Sequence, residues 1–223
     1  TSAYKLWKYD GSTVSKVPEI TADWNISNPS YLAVFNNKLY FSASAKYTFP
    51  GGVVDYGYEL CATDGTSTSL AVDINTAAGA SSYPSYLMAY NSNLYFSAYD
   101  SAASAYKLWK YSGTTLTKPT DPLLSGQPIA VTSPANLAVY NGRLYFSANG
   151  LWRSLAGATI DYGNELWSTD GTSIFLAKDI ASANGVSSYP SDLTVYGDSL
   201  YFSANGPDGY GYELWRYTST TGT

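Results

Sequence analysis

Leu39-Tyr40-Phe41-Ser42-Ala43 decides the fold, because the chain repeats this stretch at a regular spacing. Further copies are Leu94–Ala98, Leu144–Ala148 and Leu200–Ala204, so that successive copies begin about 50 to 56 residues apart. A proline lies upstream of each copy, at Pro29, Pro84, Pro134 and Pro190. A Glu/Lys-Leu-Trp-like triplet follows each copy, at Glu59–Cys61, Lys107–Trp109, Glu165–Trp167 and Glu213–Trp215. Such a period is typical of proteins built from repeated supersecondary units.

One repeat is long enough for four short strands. Asn36-Asn37 and Asp64-Gly65 have the composition of tight hairpin turns, since Asn, Asp and Gly tolerate the positive φ that these turns require. No apolar stripe with the 3.6-residue period of a helix is evident. The runs between the turns are rich in Tyr, Val, Leu and Phe, which favours strands at 31–35, 38–43, 58–63 and 69–74.

Four strands in each of four repeats predict an all-β fold, a four-bladed β-propeller with four antiparallel strands per blade. Residues 1–223 would form a single domain, with repeats at about 29–82, 83–133, 134–188 and 189–223 plus 1–28. Pairing of the N- and C-terminal strands would close the ring. One third-strand element, Tyr4–Tyr9 or Tyr212–Tyr217, is then surplus: it is displaced, pairs with another molecule or belongs to a longer parent protein.

The segment Glu165-Leu-Trp-Ser-Thr-Asp-Gly-Thr172, with its relatives at 59–66 and 213–217, resembles the ELWxxDGT repeat of large secreted and surface proteins. Asp73-Ile74, Asp179-Ile180 and the Pro-Ser-x-Leu element extend the resemblance over nearly the whole chain. The resemblance implies an extracellular, propeller-like, non-catalytic module. The chain departs from the repeat at Lys5 and Lys107 in place of Glu, at Cys61 in place of Trp, and at Ser112-Gly113 in place of Asp-Gly. These departures argue against a site that is equivalent in all four repeats.

Composition narrows the class of protein. Charged residues make up 13% of the chain and the net charge is −5, which argues against nucleic acid and anionic membrane surfaces. No apolar run approaches the ~18 residues of a membrane-spanning helix. The 23 tyrosines, together with many Ser, Thr, Asn and Gly residues, suit a secreted or cell-surface β-protein. Cys61 is expected to be a buried apolar residue, and Asn25-Ile26-Ser27 is a glycosylation sequon relevant only in a eukaryotic secretory route.

Signals for catalysis are weak. The chain has no His, which removes Ser-His-Asp triads, His-ligated metals and a His general base. Glu59, Glu165 and Glu213 suit paired acids for glycoside hydrolysis, but their repetition favours a structural hydrogen bond to a neighbouring strand. The Asp-Gly pairs suit hairpin turns better than calcium, and the repeated Leu-Trp pairs suit core better than sugar platforms. The sequence therefore predicts no enzyme and no cofactor, with calcium as a weak alternative.

Loop lengths point to a binding surface. Turns between strands 1 and 2 and between strands 3 and 4 are tight, whereas all long segments join strands 2 and 3 or lead into the next repeat. Functional residues tend to lie on loops that a rigid scaffold holds. The long loops 44–57 and 149–163, with the residues that precede two prolines, supply the candidate ligand-binding residues Tyr47, Phe49, Asp55, Trp152, Arg153, Asp161, Tyr83 and Tyr189.

Exposed rings beside acids and amides suit sugar recognition, because rings stack on apolar C–H faces and carboxylates bind hydroxyls. The alternative is that these rings only pack their own loops. The first functional hypothesis is therefore a secreted, non-catalytic carbohydrate-binding or adhesion module whose partner is a glycan or a cell-surface or matrix component. The second is an extracellular structural protein that self-associates into polymers by strand exchange, because a free strand edge is a template for pairing.

Overall fold

The computed structural model describes residues 3–219, and within that range it contains strands and no helix. The all-β prediction is confirmed. The strands are β1 (Trp7–Tyr9), β2 (Val14–Lys16), β3 (Trp24–Phe35), β4 (Lys38–Phe49), β5 (Gly52–Thr63), β6 (Thr68–Val72), β7 (Ser85–Tyr90), β8 (Asn93–Asp100), β9 (Ala105–Tyr111), β10 (Leu116–Thr117), β11 (Leu123–Leu124), β12 (Gln127–Tyr140), β13 (Arg143–Arg153), β14 (Thr159–Thr169), β15 (Ile174–Lys178), β16 (Ser191–Tyr196), β17 (Ser199–Asn205) and β18 (Tyr212–Tyr217).

Two compact units divide the chain. Unit 1 runs to Tyr106 and includes Ser112–Thr114, and unit 2 comprises Lys107–Tyr111 with the residues from Thr115 onward. Unit 1 holds the hairpin β1–β2, the four-stranded sheet β3-β4-β5-β6 and the hairpin β7–β8. Unit 2 holds the pair β9–β10, the five-stranded sheet β11-β12-β13-β14-β15 and the three-stranded sheet β16-β17-β18. Within residues 3–219, β1 pairs with β2 and β18 pairs with β17, and the predicted closure of the ring by the terminal strands is not shown.

The sheet β3-β4-β5-β6 is the predicted four-stranded antiparallel repeat. Asn36 and Asn37 both have positive φ, at 47° and 56°, as the tight turn between β3 and β4 requires. The turn between β5 and β6 follows Thr63, where the Asp64 side chain accepts hydrogen bonds from the amides of Thr66 and Ser67. Asp170 does the same for the amides of Thr172 and Ser173 between β14 and β15. The Asp-Gly pairs are therefore turn formers, as predicted.

The predicted loops 44–57 and 149–163 are wrong. The strands continue through both segments, so that β4–β5 and β13–β14 are long hairpins with short turns at Pro50-Gly51 and at 154–158. The preceding strands extend alongside them, with Trp24 opposite Tyr47 and Ile129 opposite Trp152. Each long hairpin carries a bulge where Gly57 or Gly163 adopts positive φ. Their alternating polar and apolar residues satisfy the strand period, which length alone does not reveal.

The core follows the repeated Leu-Tyr-Phe-Ser-Ala stretch. Phe41, Phe96 and Phe146 are fully buried and Phe202 is 3% exposed, which confirms the predicted core position in all four copies. Cys61 and Trp167 occupy the same register beside Phe41 and Phe146 and are fully buried too. Burial raises the pKa of the Cys61 thiol, which makes the thiol unreactive.

The predicted burial of the Leu-Trp pairs fails at both terminal copies: Leu214 is 78% exposed in the C-terminal copy, and Trp7 is exposed in the N-terminal copy. Trp7 is 60% exposed, whereas Trp167 is fully buried and its indole donates to the Ala148 carbonyl (2.9 Å). The difference arises because β14 lies between two strands of its own sheet, while β1 has only β2 beside it in the sheet assigned to it.

Candidate functional site

Each repeat places residues with left-handed backbone on both sides of its proline. Positive φ is found immediately before the proline and two residues after it, at Asn28/Tyr31, Tyr83/Tyr86, Ser133/Asn136 and Tyr189/Asp192. Non-glycine residues adopt this conformation rarely, and a bulky residue such as Tyr does so at a cost of roughly 1–3 kcal/mol. The surrounding structure must therefore hold these residues in place, and it presents their side chains at the start of strands β7 and β16 and within β3 and β12.

In unit 1, one of these residues, Tyr83, stacks on a tyrosine of β5, Tyr58. The rings of Tyr58 and Tyr83 lie 5.3 Å apart, with an interplanar angle of 23°. The Asn28 amide donates to the Tyr58 hydroxyl (3.1 Å), and the Tyr83 amide donates to the Tyr58 carbonyl (3.1 Å). The Tyr83 ring remains 51% exposed, so one side of the pair is open to a ligand.

A second ring pair joins the residues three positions after Asn28 and Tyr83. Tyr31 and Tyr86 have ring centroids 5.6 Å apart, and they are 49% and 37% exposed. Tyr99 and Tyr106 form an edge-to-face pair with ring centroids 5.6 Å apart. Burial is the main cause that raises the pKa of Tyr106, and the nearby Tyr83 and Tyr99 add to the rise. We call the set Asn28, Tyr31, Tyr58, Tyr83, Tyr86, Tyr99 and Tyr106 the tyrosine cluster.

A buried carboxyl holds one edge of the tyrosine cluster. Glu59 is fully buried; its Oε1 accepts from the Ser82 amide (2.8 Å) and its Oε2 from the Ser82 hydroxyl (2.6 Å) and the Ile74 amide (2.9 Å). Burial raises the pKa of Glu59 to about 7, although the three donors oppose that rise and the nearby Asp73 adds to it. Glu59 thus makes structural hydrogen bonds, as predicted, but to the segment that follows β6 and not to a neighbouring strand.

Unit 2 repeats this carboxyl bond for bond. Glu165 is fully buried and accepts from the Ser188 amide (2.9 Å), the Ser188 hydroxyl (2.6 Å) and the Ile180 amide (2.8 Å). Burial raises the pKa of Glu165 as well. The amides of Ser188 and Tyr189 both donate to the Asn164 carbonyl (3.0 Å each), as those of Ser82 and Tyr83 do to Tyr58.

The side chains on this shared frame differ between the units. The residues of unit 2 that match the tyrosine cluster, which we call the polar counterpart, are Ser133, Asn136, Asn164, Tyr189, Asp192, Asn205 and Tyr212. Four tyrosines of unit 1 are thus replaced by Asn or Asp. Asn136 donates to the Ser147 hydroxyl of β13 and to the Pro190 carbonyl before β16 (3.2 Å each), so it joins its own sheet to the start of the next one.

Two of the three remaining copies of the Glu position have a lysine, Lys5 and Lys107. Lys5 Nζ donates to Glu19 (2.8 Å) and to the Ile26 carbonyl (2.9 Å), and Lys107 Nζ donates to Asp121 (2.6 Å) and to the Val131 carbonyl (2.7 Å). Each Lys binds an acid in the segment after the fourth strand of its repeat. In the same segment, the Glu copies accept hydrogen bonds from a serine. Glu213, the fifth copy, is exposed.

The predicted residues of the first long hairpin lie near one another. Tyr47 is half-buried; its ring is 5.2 Å from Trp24 and 6.5 Å from Phe49. Trp24 also stacks on Tyr56 at 5.6 Å, so this row of rings packs across the hairpin. Phe49 at the tip is 42% exposed. Ligand contact by Tyr47 and Phe49 stays a prediction, while the packing of their loop is what the structure shows.

The predicted residues of the second long hairpin are not an exposed pair. Trp152 is only 9% exposed, and its indole donates to the Leu124 carbonyl (2.8 Å), so it fixes β11 onto the hairpin. The expected open ring at Trp152 is therefore wrong, because a short strand that the sequence did not reveal covers it. Arg153, the next residue, is exposed.

Asp55 and Asp161 occupy matched positions, as predicted, and both shape the backbone. Asp55 accepts from the Gly57 amide (2.9 Å) and pairs with Lys46 (2.6 Å), and the Lys46 bond lowers the pKa of Asp55. Asp161 accepts from the Gly163 amide (2.9 Å). Side chains at Gly57 and Gly163 would collide with the carbonyls of Ala80 and Val186. The two acids therefore stabilise tight bulges, and a role in binding hydroxyls stays a prediction.

Acidic groups do not gather into a metal site in the part of the chain that is described. No group of three or more His, Cys, Asp or Glu side chains between residues 3 and 219 is placed to hold a metal ion. Asp73 and Asp179 each keep one buried carboxylate oxygen without a hydrogen-bond partner, and burial raises the pKa of both. Over the same range no helix is long and apolar enough to cross a membrane.

Of the eight predicted binding residues, Tyr83 lies in the tyrosine cluster and Tyr189 in its polar counterpart. Tyr31, Tyr58 and Tyr86 were missed, because strand periodicity alone reads them as ordinary strand residues. A signal was available: tyrosine follows Pro-Ser in two repeats, at Tyr31 and Tyr86, while the other two repeats have Asn and Asp there.

The geometry defines an all-β protein of antiparallel repeats with an aromatic surface in unit 1. No protein-family model matches the chain, and no curated protein matches it significantly. The resemblance to ELWxxDGT repeats therefore stays a prediction. Among solved structures, the chain is similar to a family 117 glycoside hydrolase from the marine bacterium Zobellia galactanivorans, with 12% identity and a TM-score of 0.43 over 98% of this chain and 74% of that one.

Two structures from Bacteroides ovatus also match. One is described as a putative hydrolase, with 12% identity and a TM-score of 0.33 over 87% of this chain and 61% of that one. The other is a glycosyl hydrolase, with 7% identity and a TM-score of 0.34 over 87% and 84%.

These neighbours correct the functional prediction. The expectation of a non-catalytic adhesion module, with a self-polymerising structural protein as its alternative, and the expectation that the chain is no enzyme, are contradicted because the solved structures it resembles are described as hydrolases. At these identities and TM-scores we take neither a reaction nor a catalytic residue from the likeness, and the proposal below rests on the geometry of unit 1.

Proposed function

We propose that the protein acts on carbohydrate, and that the tyrosine cluster of unit 1 holds the sugar chain. The observation that carries this proposal is the pair of exposed tyrosine stacks, Tyr58–Tyr83 and Tyr31–Tyr86, on a backbone frame that unit 2 shares with mostly polar side chains. If the strained frame served only the fold, rings would not be needed on it, since Asn and Asp occupy it equally well in unit 2.

Tyrosine rings suit sugars for two reasons. Their faces pack against the apolar C–H groups of pyranose rings, and their hydroxyls bond sugar hydroxyls at the edge of the contact. The Asn28 amide, already bonded to the Tyr58 hydroxyl, fixes that hydroxyl's orientation. The cluster itself contains no charged side chain, and the chain carries a net charge of −5. Neutral polysaccharides therefore fit this surface better than polyanionic ones.

Isothermal titration with soluble neutral glucans, mannans, xylans and galactans, and with alginate as an acidic comparison, tests the proposal. We expect one or more neutral glycans to bind the wild type. The Tyr31→Ala/Tyr86→Ala variant should then bind at least ~10-fold more weakly, because each aromatic contact contributes roughly 0.5–1.5 kcal/mol beyond its buried area. Assay of the same mixtures for new reducing ends shows whether bond cleavage accompanies binding.

A matched control comes from unit 2. Asn136→Ala/Asp192→Ala alters the same two backbone positions without touching an aromatic ring, so it should leave glycan affinity unchanged. Equal loss in both double variants would mean that the frame, and not the rings, matters for binding. Absence of binding across the panel, with a folded wild type, would reject the carbohydrate proposal.

We further propose that the repeats are the blades of a closed four-bladed propeller and that the protein is secreted. The four copies of the Phe41-type core position, and a four-stranded antiparallel sheet in unit 1, support the first part. The composition supports the second. A crystal structure that separates the two units, or that leaves the terminal strands apart, would contradict closure.

A further inference from the structure

Glu59 is a buried ionisable group that neither the core nor the glycan contact explains. It lies next to Tyr58 in the chain, and its carboxyl bonds both polar groups of Ser82, the residue that precedes Tyr83. Burial takes the carboxyl out of water, and three hydrogen bonds from Ser82 and Ile74 replace its hydration. Two of those three bonds come from Ser82, which points to a task at that residue.

We propose that Glu59 is a positioning residue of the tyrosine cluster: acting through Ser82, it holds Tyr83 on Tyr58 and thereby sets the affinity for the glycan. The inference deepens the proposed function and rests on it for its ligand. Glu59 itself is fully buried and contacts no ligand.

The bonds around Ser82 show how the carboxyl reaches the rings. The Ser82 and Tyr83 amides both donate to the Tyr58 carbonyl, at 3.0 and 3.1 Å, which brings the two ring-bearing residues together. The Ser82 carbonyl accepts from the Tyr99 amide (2.7 Å), so the same residue also anchors a third tyrosine. Loss of the bonds to Glu59 would leave Ser82 less firmly held. The next residue, Tyr83, has a strained left-handed backbone, so it would relax away from Tyr58 once Ser82 can move.

The charge around Glu59 gives the positioning a pH dependence. Its three bonding partners are neutral donors, and the titratable groups that interact with it are Asp73 after β6 and the Cys61 thiol on β5. The closed arrangement buries the carboxyl, which raises its pKa above the value it has when the segment opens. The closed form is therefore favoured at low pH, and this advantage is lost as pH rises from about 4.5 through about 7.

Three variants of the whole chain test the proposal. Glu59→Gln removes the ionisation and keeps the shape, Ser82→Ala removes only the hydroxyl, and Glu165→Gln makes the same change beneath the polar counterpart. The readouts are the dissociation constant for the best-binding neutral glycan from pH 4.5 to 8 and the near-ultraviolet circular dichroism of tyrosine. The second readout needs no ligand, and a stacked pair such as Tyr58–Tyr83 contributes to it.

We expect wild-type affinity to weaken ~10-fold or more between pH 4.5 and 7.5, and Glu165→Gln to follow the same profile. Glu59→Gln should show a flat profile, and Ser82→Ala should bind ~3- to 10-fold more weakly, as befits one lost hydrogen bond. The tyrosine dichroism of the wild type should change over the same pH range. Glu165→Gln should keep the change that comes from the Tyr58–Tyr83 pair, and Glu59→Gln should lose it.

The outcomes separate this inference from the proposed function. If no glycan binds but the dichroism behaves as expected, the carbohydrate proposal fails while the control of the ring pair by Glu59 stands. If glycans bind and Glu59→Gln keeps the wild-type pH profile in both readouts, Glu59 is structural only and the inference is overturned. Should Glu59→Gln fail to fold, an unchanged affinity in Ser82→Ala overturns it instead.

Discussion

The tyrosine cluster of unit 1 and the polar counterpart of unit 2 share one backbone and differ in their side chains. Both have left-handed residues on either side of a proline, both have a buried Glu bonded to a Ser, and both join that Ser to the residue before the Glu. On this frame unit 1 carries six tyrosines, whereas unit 2 keeps two and has Asn or Asp at the other four positions.

The comparison separates the backbone frame, which the two units share, from the rings, which unit 1 carries at four more positions and to which we assign glycan binding. A feature present in both units, such as the strain before the proline, cannot explain what unit 1 alone presents to a ligand. Stability experiments should therefore treat the two units alike, and binding experiments should tell them apart.

The largest effect is expected from the shared core. Phe41→Ala and Phe146→Ala should each lower the free energy of unfolding by ~3–5 kcal/mol, since each removes a fully buried ring and leaves a cavity. Urea denaturation measures both. A loss below 1 kcal/mol in one unit and a large loss in the other would break the equivalence of the two frames.

Removal of the buried carboxyl comes next. Glu59→Ala and Glu165→Ala should each cost ~3 kcal/mol, because each leaves the Ile amide without its carboxylate acceptor and removes the carboxylate from the Ser amide and hydroxyl, of which the amide keeps only its backbone carbonyl. Thermal unfolding followed by circular dichroism measures the change. A different loss of stability in the two variants would show that the two carboxyls do not play the same structural role.

The pH dependence of stability should be the next largest. The pKa of Glu59 is raised in the folded protein to about 7, so the stabilisation is complete below its unfolded value near 4.5 and is lost as pH rises through 7. We expect a fall of about 1–3 kcal/mol over that range. Glu59→Gln should remove the part of this fall in stability that Glu59 causes. If stability falls with pH as steeply in that variant as in the wild type, Glu59 is not the group responsible.

A graft sharpens the comparison further. Asn136→Tyr with Asp192→Tyr places rings at the positions of Tyr31 and Tyr86 on a frame that already has the required positive φ. The variant should gain a second, weaker glycan site worth roughly 0.5–1.5 kcal/mol per ring contact, seen as a higher stoichiometry in titration. An unchanged stoichiometry would mean that the rings need more of unit 1 than its frame.

The smallest effect should come from Glu213→Ala. Glu213 occupies the repeat position of Glu59, but it is exposed, so its loss should change stability by less than ~0.5 kcal/mol. A larger change would indicate that Glu213 has a buried partner in solution.

The sequence predicted the repeat unit well and the meeting of distant side chains poorly, for a physical reason in each case. The burial of Phe41 and the turn at Asn36-Asn37 follow from the local hydrophobic pattern and from backbone preferences, and both can be read from the sequence. The hairpin through 44–57 depends on β3 extending beside it, a pairing between distant segments. The burial of Trp152 depends likewise on Leu124, and the Tyr58–Tyr83 stack joins two segments that are distant in the sequence and bonded to each other through Ser82.

The paired serine amides have a consequence for hydrogen exchange. The amides of Ser82 and Ser188 each face a backbone carbonyl and a buried carboxyl oxygen, so neither proton can exchange until its own segment opens. Two well-protected protons in one molecule thus report two separate opening reactions. Their rates, measured on the same sample, place the aromatic and the polar frame on a single kinetic scale.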